Sequence, residues 1–306
     1  MSFVVTNLTT YVNGAQQELL TKAVIEADSL KYFQIMPGVK YSDRLLYLDT
    51  DVPLQAGGCS WAASGNTTMT EKTITVTTLR RMEAICPDTL EKYQTQLSMK
   101  AGKPTAIPFE QLYADMVVKR VNEKIENMIW GNVVGSTTVF QGLIFQLTGD
   151  TDSNSTVQNF DWSATTGNTA TTYINQIFKQ YNALPAEIRS DKDLTLFMGH
   201  DSLARVIQAF IVANLYHVGG ADVDLNTLRG ELVGIANLKI VGVNGLNGSA
   251  YAFMTPSWNL VFATDLISEE DKLEAWYSQD NQEIRTVVNF KAAVSYYFGT
   301  YVVYSR

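Results

Sequence analysis

The stretch PFEQLYADMVVKRVNEKIENMIWGN, Pro108 to Asn132, constrains this chain more than any other. Phe109, Leu112, Tyr113, Met116, Val117, Val121, Ile125, Met128 and Ile129 recur at gaps of three, one and four, which keeps them on a single helical face. Pro108 suits a first turn, where a backbone N–H has no intrahelical acceptor, and Gly131 suits a left-handed stop. The spacing predicts a helix on the order of 33 Å long. It carries no histidine, no cysteine and no evident acid pair facing a pocket, so it reads as a strut rather than a chemical site, with Met116 and Met128 as core filler.

Around this rod the chain mixes strands and helices without a regular β-α-β-α alternation, which predicts an α+β fold. Residues 1–14 are apolar and Thr-rich, and a helix is expected over Ala15–Ala27. Pro37-Gly38 marks a turn. RLLYLDTDV and EKTITVTTL read as the two strands of a long ribbon, with the small, turn-rich PLQAGGCSWAASGNTTMT as its tip. MEAIC is expected as a buried strand, followed by a short helix near Pro87-Asp88. A helix is predicted from about Thr172 to Leu184. DLTLFMG reads as a buried strand feeding the helix HDSLARVIQAFIVANLYH, capped by Asp201 or Ser202 and closed by Gly219-Gly220. The two Asn-Gly pairs in NLKIVGVNGLNGSAYAF signal a hairpin. NLVFAT, KLEAWYS, EIRTVVNF and AAVSYYFGTYVVYS complete a run of strands.

A net charge of −8 argues against a shell of phosphate-neutralising lysines and arginines, and so against sequence-reading of nucleic acid. Cys59 and Cys86 are the only cysteines, which excludes a disulfide scaffold and favours a reducing compartment. No basic segment precedes an apolar run at the N-terminus, and no stretch is long enough to span a bilayer; a soluble, intracellular protein is expected.

The search for chemistry yields no site. His200 and His217 lack HExxH or HxH spacing, and a zinc centre needs three or four convergent ligands. GHDSL, Gly199–Leu203, joins a strand to a helix but lacks the GxSxG pattern of a nucleophile elbow. GVNGLNG precedes a strand, whereas phosphate loops open a helix, so tight turning is the better reading. AGKPT lacks the upstream glycine of a P-loop. SEEDK, Ser268–Lys272, reads as a solvated turn, and Cys59 has no histidine partner in view. No catalytic residue, cofactor or metal is assigned.

An apolar arm and an unsupported ribbon both need surface from elsewhere, because a two-stranded ribbon is only marginally stable in water. Neighbouring copies could supply that surface, each chain acting as a tile. The order arm, ribbon, long helix ending IENMIWGN, then FQGLI at Phe140–Ile144, resembles the major capsid proteins of tailed double-stranded DNA bacteriophages. The block TPSWNLVFATDLISEEDKLEAWYSQDNQEIRTVVNFKAAVSYYFGTYVVYS is similar to that family's closing strands, whose fold is shared with encapsulins and the herpesvirus capsid floor. The resemblance implies an arm at 1–36, an extended loop at 37–81, a peripheral domain at 82–147 and 283–306 with a spine helix at 108–131, and an axial domain at 148–282. It implies a non-enzymatic shell protein, assembling as hexamers and pentamers around packaged double-stranded DNA, in virions built in the host bacterial cytoplasm. Its partners would be many copies of itself, non-specifically held DNA, and separate scaffolding, portal and decoration proteins, with no membrane. Scaffolding would be separate because the arm begins almost at the initiator methionine. Phe3, Val5, Trp61 and Lys72 are the expected subunit contacts. Some relatives cross-link loop lysines to neighbouring asparagines, but no motif carries that chemistry to Lys72. An encapsulin-like shell around a cargo enzyme is the alternative, and a hydrolase using Ser202 or Cys59 the third.

Overall fold

The structure is a computed structural model and describes residues 27–51, 53, 65–86, 109–131, 141–149, 156–164, 169–212, 227–229, 235, 237–265 and 272–306. A 3-10 turn over Asp28–Tyr32 leads into β1 (Gln34–Pro37). Gly38 follows with φ 84°, making the turn expected at Pro37-Gly38. The ribbon is β2 (Ser42–Asp51) and β3 (Asn66–Thr75), and β4 (Thr77–Ile85) continues past Val76. The spine helix α1 (Phe109–Trp130) is followed by α2 (Leu143–Gly149), β5 (Thr156–Gln158), α3 (Ala170–Ala183) and α4 (Ala186–Arg189). Then come β6 (Leu194–Gly199), α5 (His200–Val212), β7 (Thr227–Arg229), β8 (Lys239–Val243) and β9 (Ala252–Pro256). β10 (Leu260–Thr264), β11 (Lys272–Ser278), β12 (Glu283–Tyr296) and β13 (Val303–Ser305) close the chain.

Two sheets lean on α1. The first runs β1-β10-β12-β11, with β4 also paired to β12; the second runs β5-β13-β9-β6-β8-β7. One core cluster takes Val117, Val121, Ile125, Ile129 and Trp130 from α1, Val288 and Phe290 from the first sheet, and Phe197 and Phe253 from the second. The strut is therefore the element both sheets bury their apolar faces against. On its other face the second sheet meets α3 and α5 through Leu194, Leu196, Met198, Ile177, Val206 and Phe210. β6 has apolar layers on both sides, which is why LTLFMG reads as an unbroken hydrophobic run rather than an alternating one.

The spine helix ends where the sequence predicts. Gly131 adopts φ 73°, and its N–H donates to the carbonyls of Asn127 and Met128, both at 3.1 Å. Its bare Cα faces Gly142, where a Cβ would overlap the Gly131 backbone and lie 2.6 Å from the Met128 carbonyl oxygen. Gly142→Ala should therefore cost about 1–3 kcal/mol through overpacking, read as a lower unfolding midpoint in urea.

Several expectations are corrected. The two Asn-Gly pairs make no hairpin: β6 lies between β8 and β9, parallel to the first and antiparallel to the second. Residues 244–246 form a 3-10 turn packed on the spine, with Leu246 in its core. β4 is not a buried strand; its residues alternate between half-buried and exposed. Met116 is 60% exposed, whereas Met128 packs against the core. EIRTVVNF and the start of AAVSYYFGTYVVYS are one continuous strand, β12. The second ribbon strand begins at Asn66, inside the segment read as tip. α3 starts at Ala170, two residues early, because Thr169 caps it by accepting the Thr172 N–H.

Strands are shared across the four sequence ranges. β10 and β11 pair with β12 in the first sheet, while β13 joins the second. Leu30 and Phe33, from the range expected as arm, are buried in the main core. The expected helices at Ala15–Ala27 and near Pro87-Asp88 and the Gly219-Gly220 stop lie essentially outside the described residues.

Candidate functional site

The ribbon has two unlike faces. In the β2–β3 register Leu45 stands opposite Lys72, Tyr47 opposite Thr70, Leu46 opposite Glu71 and Leu48 opposite Met69. Because side chains alternate across a strand, Leu45, Tyr47 and Lys72 share one face while Leu46, Leu48 and Met69 share the other. The first face turns to the chain's own body. Leu45, Ile74, Val76 and Val39 pack against Val261, Ala263 and Ala293, and the Tyr47 ring meets Phe298 edge-on at 3.9 Å. The ribbon base is thus sheltered by its own first sheet, which corrects the expectation of a ribbon without intramolecular support. The second face has no such cover: Leu46, Leu48 and Met69 are 59%, 58% and 65% exposed. Three adjoining large apolar side chains on an extended strand pair are a ready surface for another chain.

A second surface lies between α1 and β4. It is a cleft of about 500 Å³ with Leu79, Val121, Ile125, Met128 and Phe290 in its lining and Arg80, Arg81, Arg120 and Lys124 around them. Arg120 pairs with Glu123 at 2.8 Å and Arg81 with Glu83 at 2.5 Å. In a chain of net charge −8 this is a locally basic, partly apolar groove.

Of the expected contact residues, Lys72 is the one the structure places. Its ammonium sits 3.3 Å from the centre of the Tyr296 ring, a cation–π contact on the body face of the ribbon. Phe3, Val5 and Trp61 lie outside the described residues, as do Cys59, His217, AGKPT and Ser268–Asp271.

The spine helix does hold polar chemistry that its sequence hides. Glu126 is only 4% exposed. Its carboxylate accepts the Ser29 N–H at 3.1 Å, the Ser29 hydroxyl and the Gly245 N–H, and the Trp130 indole N–H donates to Ser29 Oγ at 2.7 Å. Burial pushes the Glu126 carboxyl above its ordinary value, against the lowering effect of these donors, and Asp28 adds a smaller push in the same direction. The 3.6-residue period places Glu126 beside Ile125 and Ile129, but nothing local announces a partner 97 residues upstream.

His200 opens α5, its backbone N–H donating to Asn247 Oδ1 at 2.7 Å. The acceptor comes from Asn247 rather than from Asp201 or Ser202, and the Ser202 hydroxyl donates to the Trp162 carbonyl at 3.1 Å. Ser202 is buried with its hydroxyl donating to a backbone carbonyl rather than to a histidine, which is not the arrangement of an activated nucleophile. Among the described residues, no group of three or more His, Cys, Asp and Glu side chains could hold a metal ion. No helix there is long and apolar enough to cross a membrane.

No family model matches the sequence, and no curated protein does. Solved structures do match the fold. A chain of the satellite phage P4 procapsid that includes the size determination (Sid) protein aligns at TM-score 0.64 and 13% identity, covering 95% of this chain and 90% of that one. The capsid of Myoviridae phage XM1 aligns at TM-score 0.57 and 13% identity, over 92% of this chain and 91% of the other. The virus-like particle from Pyrococcus furiosus gives 0.54 and 10% identity, over 94% and 96%. This chain has the α+β fold seen in these capsid and virus-like-particle structures.

Proposed function

We propose that this chain is a non-enzymatic structural protein that assembles as hexamers and pentamers into an icosahedral shell around packaged double-stranded DNA. The observation that carries the reading is the likeness to the phage P4 procapsid over 95% of the chain. The exposed Leu46, Leu48 and Met69 face supports it, because a shell gives each ribbon a neighbouring surface to cover that face. On this reading the body-facing Tyr47 and Lys72 fix the ribbon's direction, and the outward face makes the contact. The basic groove along α1 could neutralise some phosphate charge, in keeping with non-specific rather than sequence-reading contact. Assembly in the bacterial cytoplasm is part of the same proposal.

A second reading, a nanocompartment shell enclosing a cargo enzyme, draws on the likeness to the Pyrococcus furiosus virus-like particle. Electron microscopy of the purified chain, with assay of particle contents before and after nuclease treatment, tests both. Closed particles holding nuclease-protected double-stranded DNA support the leading reading. Particles filled with a second protein favour the alternative. A monomer that never assembles at high concentration rejects both.

A further inference from the structure

The Glu126 node joins three segments that are far apart in sequence. The turn at Asp28–Tyr32 supplies Ser29, the spine helix supplies Glu126 and Trp130, and the 3-10 turn at Asn244–Leu246 supplies the Gly245 N–H. Contact here is close: a Cβ on Gly245 would lie 2.5 Å from the Glu126 carbonyl oxygen and overlap the Trp130 ring. Unlike Asp265, which has Lys291 at 3.7 Å, Glu126 is held among the described residues by N–H and O–H donors rather than by a cation. It adjoins a polar cleft of about 440 Å³, so its proton can exchange with solvent once the node opens.

We propose that Glu126 is a proton-operated latch, clamping the segment Ala27–Phe33 to the spine helix tightly when protonated and more loosely when ionised. In the protonated form the carboxyl is neutral, and its two oxygens still accept the Ser29 hydroxyl and the Ser29 N–H. Ser29 Oγ keeps its bond from the Trp130 indole in either state. In the ionised form the same donors remain, but a net charge sits in a site from which most water is excluded. The charged groups around it do not compensate. Asp28 and Lys31, from the clamped segment, pair with each other at 3.1 Å, and Lys119 and Glu123 line the cleft on the spine side. The Asn244–Leu246 turn brings only amides.

The sign follows from linkage. Burial raises the carboxyl's pKa in the closed latch, and opening returns it towards its ordinary value, so opening releases a proton. The open fraction therefore rises with pH between the ordinary and the raised value and levels off above the raised one.

Hydrogen–deuterium exchange on the full chain tests this, expressed as protection factors so that intrinsic exchange cancels, from about pH 5 to about pH 8. Protection of residues 28–33 should fall severalfold as pH rises, while Val303–Ser305 in the second sheet stays level. Glu126→Gln should flatten the profile of residues 28–33, and Asp28→Asn should keep the slope but move it to lower pH. Ser29→Ala, which leaves the carboxylate in place, should lower protection of that segment about tenfold without disturbing the second sheet. A slope that survives Glu126→Gln, a slope abolished by Asp28→Asn, or a flat wild-type profile overturns the latch. So does a Ser29→Ala effect that spreads equally to Val303–Ser305, because the node would then be ordinary core.

Discussion

Replacing Leu48–Met69 by a two-residue Asn-Gly turn should abolish closed particles while leaving the subunit's unfolding midpoint nearly unchanged. The cut keeps the Tyr47–Thr70 pair, and Asn-Gly is the favoured loop for a two-residue antiparallel connection. What stabilises the subunit lies nearer the base: Leu45, Ile74 and Val76 against Val261, Ala263 and Ala293, and Tyr47 against Phe298. What the cut removes includes Leu48 and Met69, which are more than half exposed. Assembly multiplies each subunit contact over many copies, so losing one at every subunit acts close to all-or-none. A milder variant, Leu48→Thr with Met69→Thr, keeps strand propensity and should raise the concentration needed for assembly without unfolding the subunit. Sedimentation and electron microscopy read both. Normal particles from the shortened ribbon would show that the outer ribbon is not the contact.

Trp130→Ala should destabilise the subunit by about 3–5 kcal/mol, the cost of emptying a large aromatic site in a packed core. The ring is fully buried and has Phe33, Phe197 and Phe253 within 5.9, 5.3 and 5.6 Å between centroids. These neighbours come from the segment after the first 3-10 turn and from β6 and β9 in the second sheet, so the cavity opens where the spine meets both. Trp130→Phe keeps most of the ring but drops the indole N–H to Ser29 Oγ, and should cost about 1 kcal/mol for the lost bond plus a smaller packing loss. Urea unfolding of the two variants separates packing from hydrogen bonding. A Trp130→Ala loss below about 1 kcal/mol would mean that this end of the spine is not packed into the core it shares with the second sheet.

The elements that were legible in sequence are those whose signal is local. The helix at Phe109–Trp130 and its Gly131 stop follow from the period of 3.6 residues and from the freedom of glycine at positive φ. The ribbon follows from alternation around Ile74, although EKTITVTTL, expected as one strand, breaks at Val76, after which β4 pairs with β12 in the first sheet. β6 follows from an apolar run bounded by turns. Misreadings cluster where the deciding partner is distant. Asn244-Gly245 and Asn247-Gly248 carry a strong hairpin signal, but β6, more than 40 positions upstream, takes the place between β8 and β9. Asn247 then supplies the acceptor at the start of α5, a role local reasoning gave to Asp201 or Ser202. Met116 fits the apolar stripe of the spine yet is exposed, because the sheets cover only part of that stripe.

Sequence by itself determined the α+β class, the strut, its stop, the existence of a ribbon and the lack of catalytic spacing, since each depends on residues within a few positions of one another. Tertiary structure alone decided that both sheets share the spine, that the ribbon's base is sheltered while Leu46, Leu48 and Met69 are not, and that Glu126 is buried beneath Ser29. Burial and pairing between distant segments are properties of the closed chain. A residue's period says which face it occupies, but only the packed fold says what, if anything, covers that face.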